Sequence, residues 1–185
     1  VFVPQGAYKV TSNLIVPDGV ELLGQYGARS MSGLKEACVI LIYTGRNVLN
    51  PDSHPAFLSL GVNSGVRGFV FAYPEQGHGT SYHPVAVYPP LIKNRGDGAW
   101  VDSCTIVNSW IGLDFSTVPA NGFLIRDTSV YAFDTAVKIG GGTVGGNLER
   151  VRTSWNVASG TYRQNAPFEY GLDALQEHSL DKTLG

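Results

Sequence analysis

Helical periodicity is nearly missing from this sequence. Only residues 32–37 and 172–182 carry apolar positions at helix-like spacing, the second through Leu172, Leu175 and Leu180. An all-α fold is thereby excluded. Charge is also scarce. Charged residues make up 15% of the chain, and 13 Lys and Arg against 15 Asp and Glu leave a net charge of −2. That balance lacks the cationic excess that nucleic-acid binding requires, and it gives no general attraction for a strongly acidic glycan. Only two cysteines are present, Cys38 and Cys104, far apart and each in an apolar, strand-like context. The expectation is two buried free thiols rather than a disulfide or a metal-type pair. No apolar run reaches the ~20 residues of a membrane span. No secretory leader is visible, but Val1 falls inside a strand-like run, so the chain is expected to continue a longer polypeptide.

What the sequence does have is turn punctuation. Its 23 glycines and 10 prolines are spread along the chain, between short apolar stretches at 1–3, 8–16, 20–23, 39–43, 57–60 and 66–73. The second half repeats. Residues 101–108 (VDSCTIVN) align with 125–132 (IRDTSVYA) at an offset of 24, and 112–115 (GLDF) align with 136–139 (AVKI) at the same offset. Residues 66–71 precede this series, and 151–154 are expected to continue it. A repeat of this length suits one coil of a parallel β-helix, in which no coil buries its apolar positions alone and stacking makes the core. Dividing the length by the repeat gives roughly seven coils. A jelly roll or sandwich also has many short strands, but it does not predict residue-for-residue register between successive segments.

The opening stretch VFVPQGAYKVTSNLIVPDGVELLGQYG has the order strand, Pro-x-Gly-x-Tyr, strand, Pro-x-Gly-Val, Leu-x-Gly. It resembles the first coils of the pectate-lyase-like superfamily over about 27 residues, and the later NSGVRGFVF and DSCTIVNS phrases are similar to its later coils. The resemblance implies an all-β, right-handed parallel β-helix forming a single domain over residues 1–185, with a loop insertion at about 74–90 and an irregular or helical tail at about 165–185. It also implies a secreted or cell-surface protein whose partner is a polysaccharide. The superfamily includes lyases, glycoside hydrolases, epimerases and phage tail fibres, so it implies a ligand class more than an activity. Polygalacturonase-type hydrolases share Asn-x-Asp, Asp-Asp, Gly-His-Gly and Arg-x-Lys in that order. Here Gly77-His78-Gly79 has no Asp-Asp before it, and Arg150-Val151-Arg152 stands where Arg-x-Lys belongs. That Gly-His-Gly reads as loop.

Stacked coils place equivalent residues in columns. The repeat puts Arg67, Asp102, Arg126 and Arg152 in one outward column. Such arginines grip carboxylate or sulfate through paired hydrogen bonds, and in a lyase Arg126 would stabilise developing negative charge. The competing reading is that Asp102 simply pairs with its arginine neighbours. A second column would hold Asn108, Tyr131 and Tyr73, with Trp110 and Phe133 just beyond, as flat platforms for sugar rings or as packing. A glycosidase needs two carboxylates, about 5–5.5 Å apart for retention or 6.5–9.5 Å for inversion. Asp114, Asp127 and Asp134 are the best placed, with Asp102 and Glu75 next, although Asp114 aligns with Lys138 and the two are expected to pair. The insertion after Tyr73 carries Glu75, His78, Tyr82, His83 and Tyr88, a candidate general base among them. Its two histidines do not have metal-ligand spacing. Calcium, which would need several clustered carboxylates, is not indicated, and no cofactor is.

Three functions fit these features. The chain cleaves a polysaccharide as hydrolase or lyase, it binds a glycan without cleaving it as a tail-fibre-like module does, or it is a structural solenoid segment with the active site on other coils. Paired carboxylates in a groove would favour the first, and a groove without them the second.

Overall fold

The computed structural model describes residues 1–25, 37–76, 85–140, 142–155 and 178–183. These residues are all-β apart from one 3-10 turn, Pro51–Ser53. No helix among them is long and apolar enough to cross a membrane.

The chain winds through three strand positions per coil. The first coil holds β1 (Phe2–Val3), β2 (Gly6–Val10) and β3 (Leu14–Val16); the second holds β4 (Glu21–Gly24), β5 (Cys38–Ile42) and β6 (Leu58–Leu60). The third holds β7 (Gly65–Arg67), β8 (Phe69–Ala72) and β9 (Ile92–Asn94). The fourth has β10 (Trp100–Asp102) and a long β11 (Thr105–Phe115), and the fifth β12 (Leu124–Arg126) and a long β13 (Ser129–Ile139). Strand β14 (Asn147–Trp155) begins a sixth, and β15 (His178–Thr183) closes the order.

Each strand pairs in parallel with its equivalent one coil away. The first column runs β1, β4, β7, β10, β12, β14. The second runs β2, β5, β8, β11, β13, β14, and the third β3, β6, β9 and the far half of β11, continued by β13. The offset of 24 is the observed register, with Val101 beside Ile125, Leu113 beside Val137 and Asp114 beside Lys138. A sandwich is excluded, because among the described residues only the β14–β15 pair is antiparallel. That pair also corrects the expected tail helix, since residues 178–182 are strand; the rest of that candidate, and residues 32–36, lie outside the described residues. The described residues form five coils and begin a sixth, against about seven expected. The second and third coils are the long ones, 44 residues from Leu22 to Val66 and 35 from Val66 to Val101, against the repeat of 24.

The period of two sends alternate side chains inward. Val66, Val101 and Ile125 stack inside the first column, Phe71, Ile106 and Val130 inside the second, and Leu58, Ile92 and Leu113 inside the third, all fully buried or nearly so. Each such side chain contributes about 1.5–3 kcal/mol relative to exposure. Cys38 and Cys104 are buried free thiols in this core, as expected, with Phe69 in the coil between them. Burial pushes the Cys38 thiol up to about 11 and the Cys104 thiol up to about 12.

Two corners hold the coils in register. Entering the first column, residues 19, 63, 98, 122 and 145 all take positive φ, at 70°, 48°, 67°, 66° and 67°. Four are Gly and one Asn, the residues that tolerate that region. The preceding Asx side chain links coil to coil: Asp18 Oδ1 accepts from Val62 N–H, Asp97 Oδ1 from Asn121 N–H, and Asn121 Oδ1 from Val144 N–H, at 2.8–3.0 Å. Leaving the first column, Gly68, Ser103, Asp127 and Arg150 form a second stack of positive φ.

Candidate functional site

The third column and the connection from β5 to β6 build a groove. The outward residues of the column are Ser59, Lys93, Asp114 and Lys138, one per coil. The connection from β5 to β6 folds its 3-10 turn against them. Lys93 Nζ donates to the Asp52 carbonyl at 2.7 Å and lies 3.5 Å from Asp114 Oδ2, while Lys138 Nζ donates to Asp52 Oδ1 at 2.7 Å. Asp52 thus ties this loop to two different coils. Between the loop and the third column lies an open groove of about 520 Å³, lined by His54, Ser59, Lys93, Arg95 and Thr117 among others. His54 and Arg95 are exposed. Arg95 makes no ion pair among the described residues.

Asp114 forms the buried end of this network. Its Oδ1 accepts from Ser116 N–H at 3.0 Å and Ser116 Oγ at 2.6 Å, and its Oδ2 from Thr117 Oγ1 at 3.1 Å. Burial alone would raise its pKa. The Ser116 hydrogen bonds, the Lys93 charge and Thr117 outweigh that and hold the carboxyl below the usual carboxylate range. The expected pairing of Asp114 with Lys138 is corrected here. The two are in register, but Lys93, on the coil before, is the ion partner, because Lys138 is drawn to Asp52.

The first column carries a charge ladder. Arg67 reaches Glu21 at 3.2 Å and Asp102 at 3.3 Å, and Arg126 reaches the same Asp102 oxygen at 2.6 Å. Burial raises the Asp102 pKa, but hydrogen bonds from Arg126 and Ser103 and the charges of Arg126 and Arg67 hold it low. Arg67, Asp102 and Arg126 therefore share a column as the repeat predicts. Arg152 does not. Glu149, 23 residues after Arg126, is the residue beside it, whereas Arg152, 26 residues after, lies past the corner and pairs with Ser129 in the second column.

The remaining candidates disperse. Tyr73 is buried against Tyr88 with ring centroids 4.4 Å apart, and burial together with Tyr88 pushes its hydroxyl far above the usual range. It is core, not a platform. Tyr131 packs beside Val70 and Val107 on the second column, and Trp110 packs on the core edge. The offset of 24 itself sets Tyr131 level with Val107 rather than Asn108, and Asn108 sits at a bulge with φ 61°, beyond which Ala132 pairs with Ser109. Glu75 is exposed on the loop after Tyr73, while His78, Tyr82 and His83 lie outside the described residues. Asp134 is exposed and accepts from Thr135 Oγ1. It stands four residues along β13 from Lys138, the residue beside Asp114, so the two backbones are separated by roughly 13 Å. Asp114 and Asp134 do not make a glycosidase pair.

Asp52, His54, Lys93 and Arg95 carry no mark in the sequence. No motif distinguishes them, since loop and column meet across 41 and 86 residues of chain. No family model, curated protein or solved structure matches this chain. The site is therefore defined by its geometry alone.

Proposed function

We propose that this chain is a segment of a right-handed parallel β-helix of the pectate-lyase-like kind that binds a polysaccharide in the third-column groove. The hand follows from the near-universal right-handedness of parallel crossovers, and the family from the opening VFVPQGAYKV and VPDGVELLG phrases. The observation that carries the binding reading is the groove itself. It is open, assembled from three coils, and keeps His54 and Arg95 exposed beside it. A chain-like ligand lying along the stack would cross successive coils at ~4.8 Å steps.

Binding is favoured over hydrolysis by the state of the two buried acids. A proton donor in glycoside hydrolysis needs a raised pKa, whereas Asp114 and Asp102 are both held low. The protein would meet such a ligand outside the cell.

The test is migration of the protein through native gels containing neutral, uronate-containing or sulfated polysaccharide, with reducing ends and ultraviolet absorbance followed in the same mixtures. Retardation by at least one polymer without product is the expected result. Retardation by none would sink the proposal. Release of product would turn it into an enzyme, a lyase if the product absorbs and a hydrolase if it does not.

A further inference from the structure

We propose that the indole of Trp100 is the floor of a second sugar subsite, on the first column, that takes a neutral pyranose ring. The ligand class rests on the polysaccharide reading above; the subsite rests on its own geometry.

Trp100 lies in register with Gly65 on the preceding coil and Leu124 on the next. A Cβ built on Gly65 would fall about equally close to three indole atoms, Cδ1, Cδ2 and Cε2. A Cβ points straight out from the sheet. Equal closeness to three ring atoms therefore means that the indole lies flat over Gly65, with one face on the backbone and the other turned away from the sheet. Only glycine allows this approach. The ring is also fixed in its plane, since Nε1–H donates to Glu21 Oε1 at 3.3 Å, the oxygen that Arg67 holds at 3.2 Å.

The surroundings suit a sugar. A flat indole offers an apolar platform to the C–H face of a pyranose. At its edge, the Glu21, Arg67 and Arg126 side chains are 33%, 46% and 35% exposed, so a carboxylate and two guanidiniums can meet vicinal hydroxyls. The charges argue for a neutral ring. Carboxylates Glu21, Asp102 and Glu149 against guanidiniums Arg67 and Arg126 leave no cationic excess to draw an acidic sugar.

The experiment is a nitrogen–proton NMR titration of the chain with neutral oligosaccharides, following the indole N–H signals and assigning Trp100 by its loss in Trp100→Phe. A saturable shift of the Trp100 signal is expected. Affinity should fall about tenfold in Trp100→Ala and much less in Trp100→Phe, which keeps a flat ring. An unmoved Trp100 signal, or a Trp100→Ala variant that melts like the parent and binds as well, overturns the subsite. If polymer retention is then lost only through Arg95→Ala, the third-column reading survives alone; if the parent retains no polymer, both fall.

Discussion

The Nη2 of Arg126 stands 2.6 Å from Oδ2 of Asp102, its neighbour one coil earlier in the first column. The same carboxylate is shared with Arg67 from the coil before that. With Asp102 only 5% exposed and its arginines 46% and 35% exposed, the carboxylate depends on the ladder more than the guanidiniums do.

Asp102→Asn should therefore destabilise the chain by about 1–2 kcal/mol. That is the range for a charge-assisted hydrogen bond, discounted because solvent serves the arginines. Urea unfolding measures it. An unchanged midpoint would show that the ladder contributes nothing.

Acid should act through the same groups. Asp102 and Asp114 both have folded pKa values below their ordinary 3.8. Each contributes stability that is fully present above the unfolded value and is lost as pH falls through the folded one. Unfolding free energy should be nearly flat from neutral pH to about pH 5 and drop below about pH 4. The drop should be shallower in Asp102→Asn. Equal loss in parent and variant would contradict this assignment.

The corners predict a contrast between two glycines. Gly122 has φ 66° and open space where a side chain would start, with nothing within 4 Å of an added Cβ. Gly122→Ala therefore meets only the left-handed backbone cost, about 1 kcal/mol. A Cβ at Gly24 would collide with the Gly68 carbonyl and crowd the Cys38 side chain. Gly24→Ala should cost more, about 2–3 kcal/mol, because backbone must shift. Thermal melts of the two variants give the order, and the reverse order would refute the close stacking of these coils.

Much of this stacking is legible in the chain. The offset of 24 comes directly from alternating apolar residues that face one interior, so Val101 and Ile125, or Leu113 and Val137, have to match. Arg152 falls outside its expected column because the apolar Val151 invites alignment with Val101. The better marks are Asp97-Gly98 and Asn121-Gly122, which repeat the corner of Asp18-Gly19. They put Leu148, not Val151, in that column. Arg150 takes the same left-handed corner as Gly68 without any sequence signal, held by its paired bonds to Asp127 at 2.8 and 3.0 Å. The site is less legible. Lys93 and Asp52 meet only through the fold, and Trp100 becomes a flat platform only because Gly65 happens to lie beneath it.

Polysaccharide binding in the third-column groove is tested most directly by comparing the parent chain with an Arg95→Ala, His54→Ala double variant on the polymer that retards the parent most. Both side chains are exposed, so the variant should fold and melt like the parent. Its retardation should be lost or strongly reduced. Undiminished retardation of a folded variant would contradict the proposal and remove the third-column groove as the binding site.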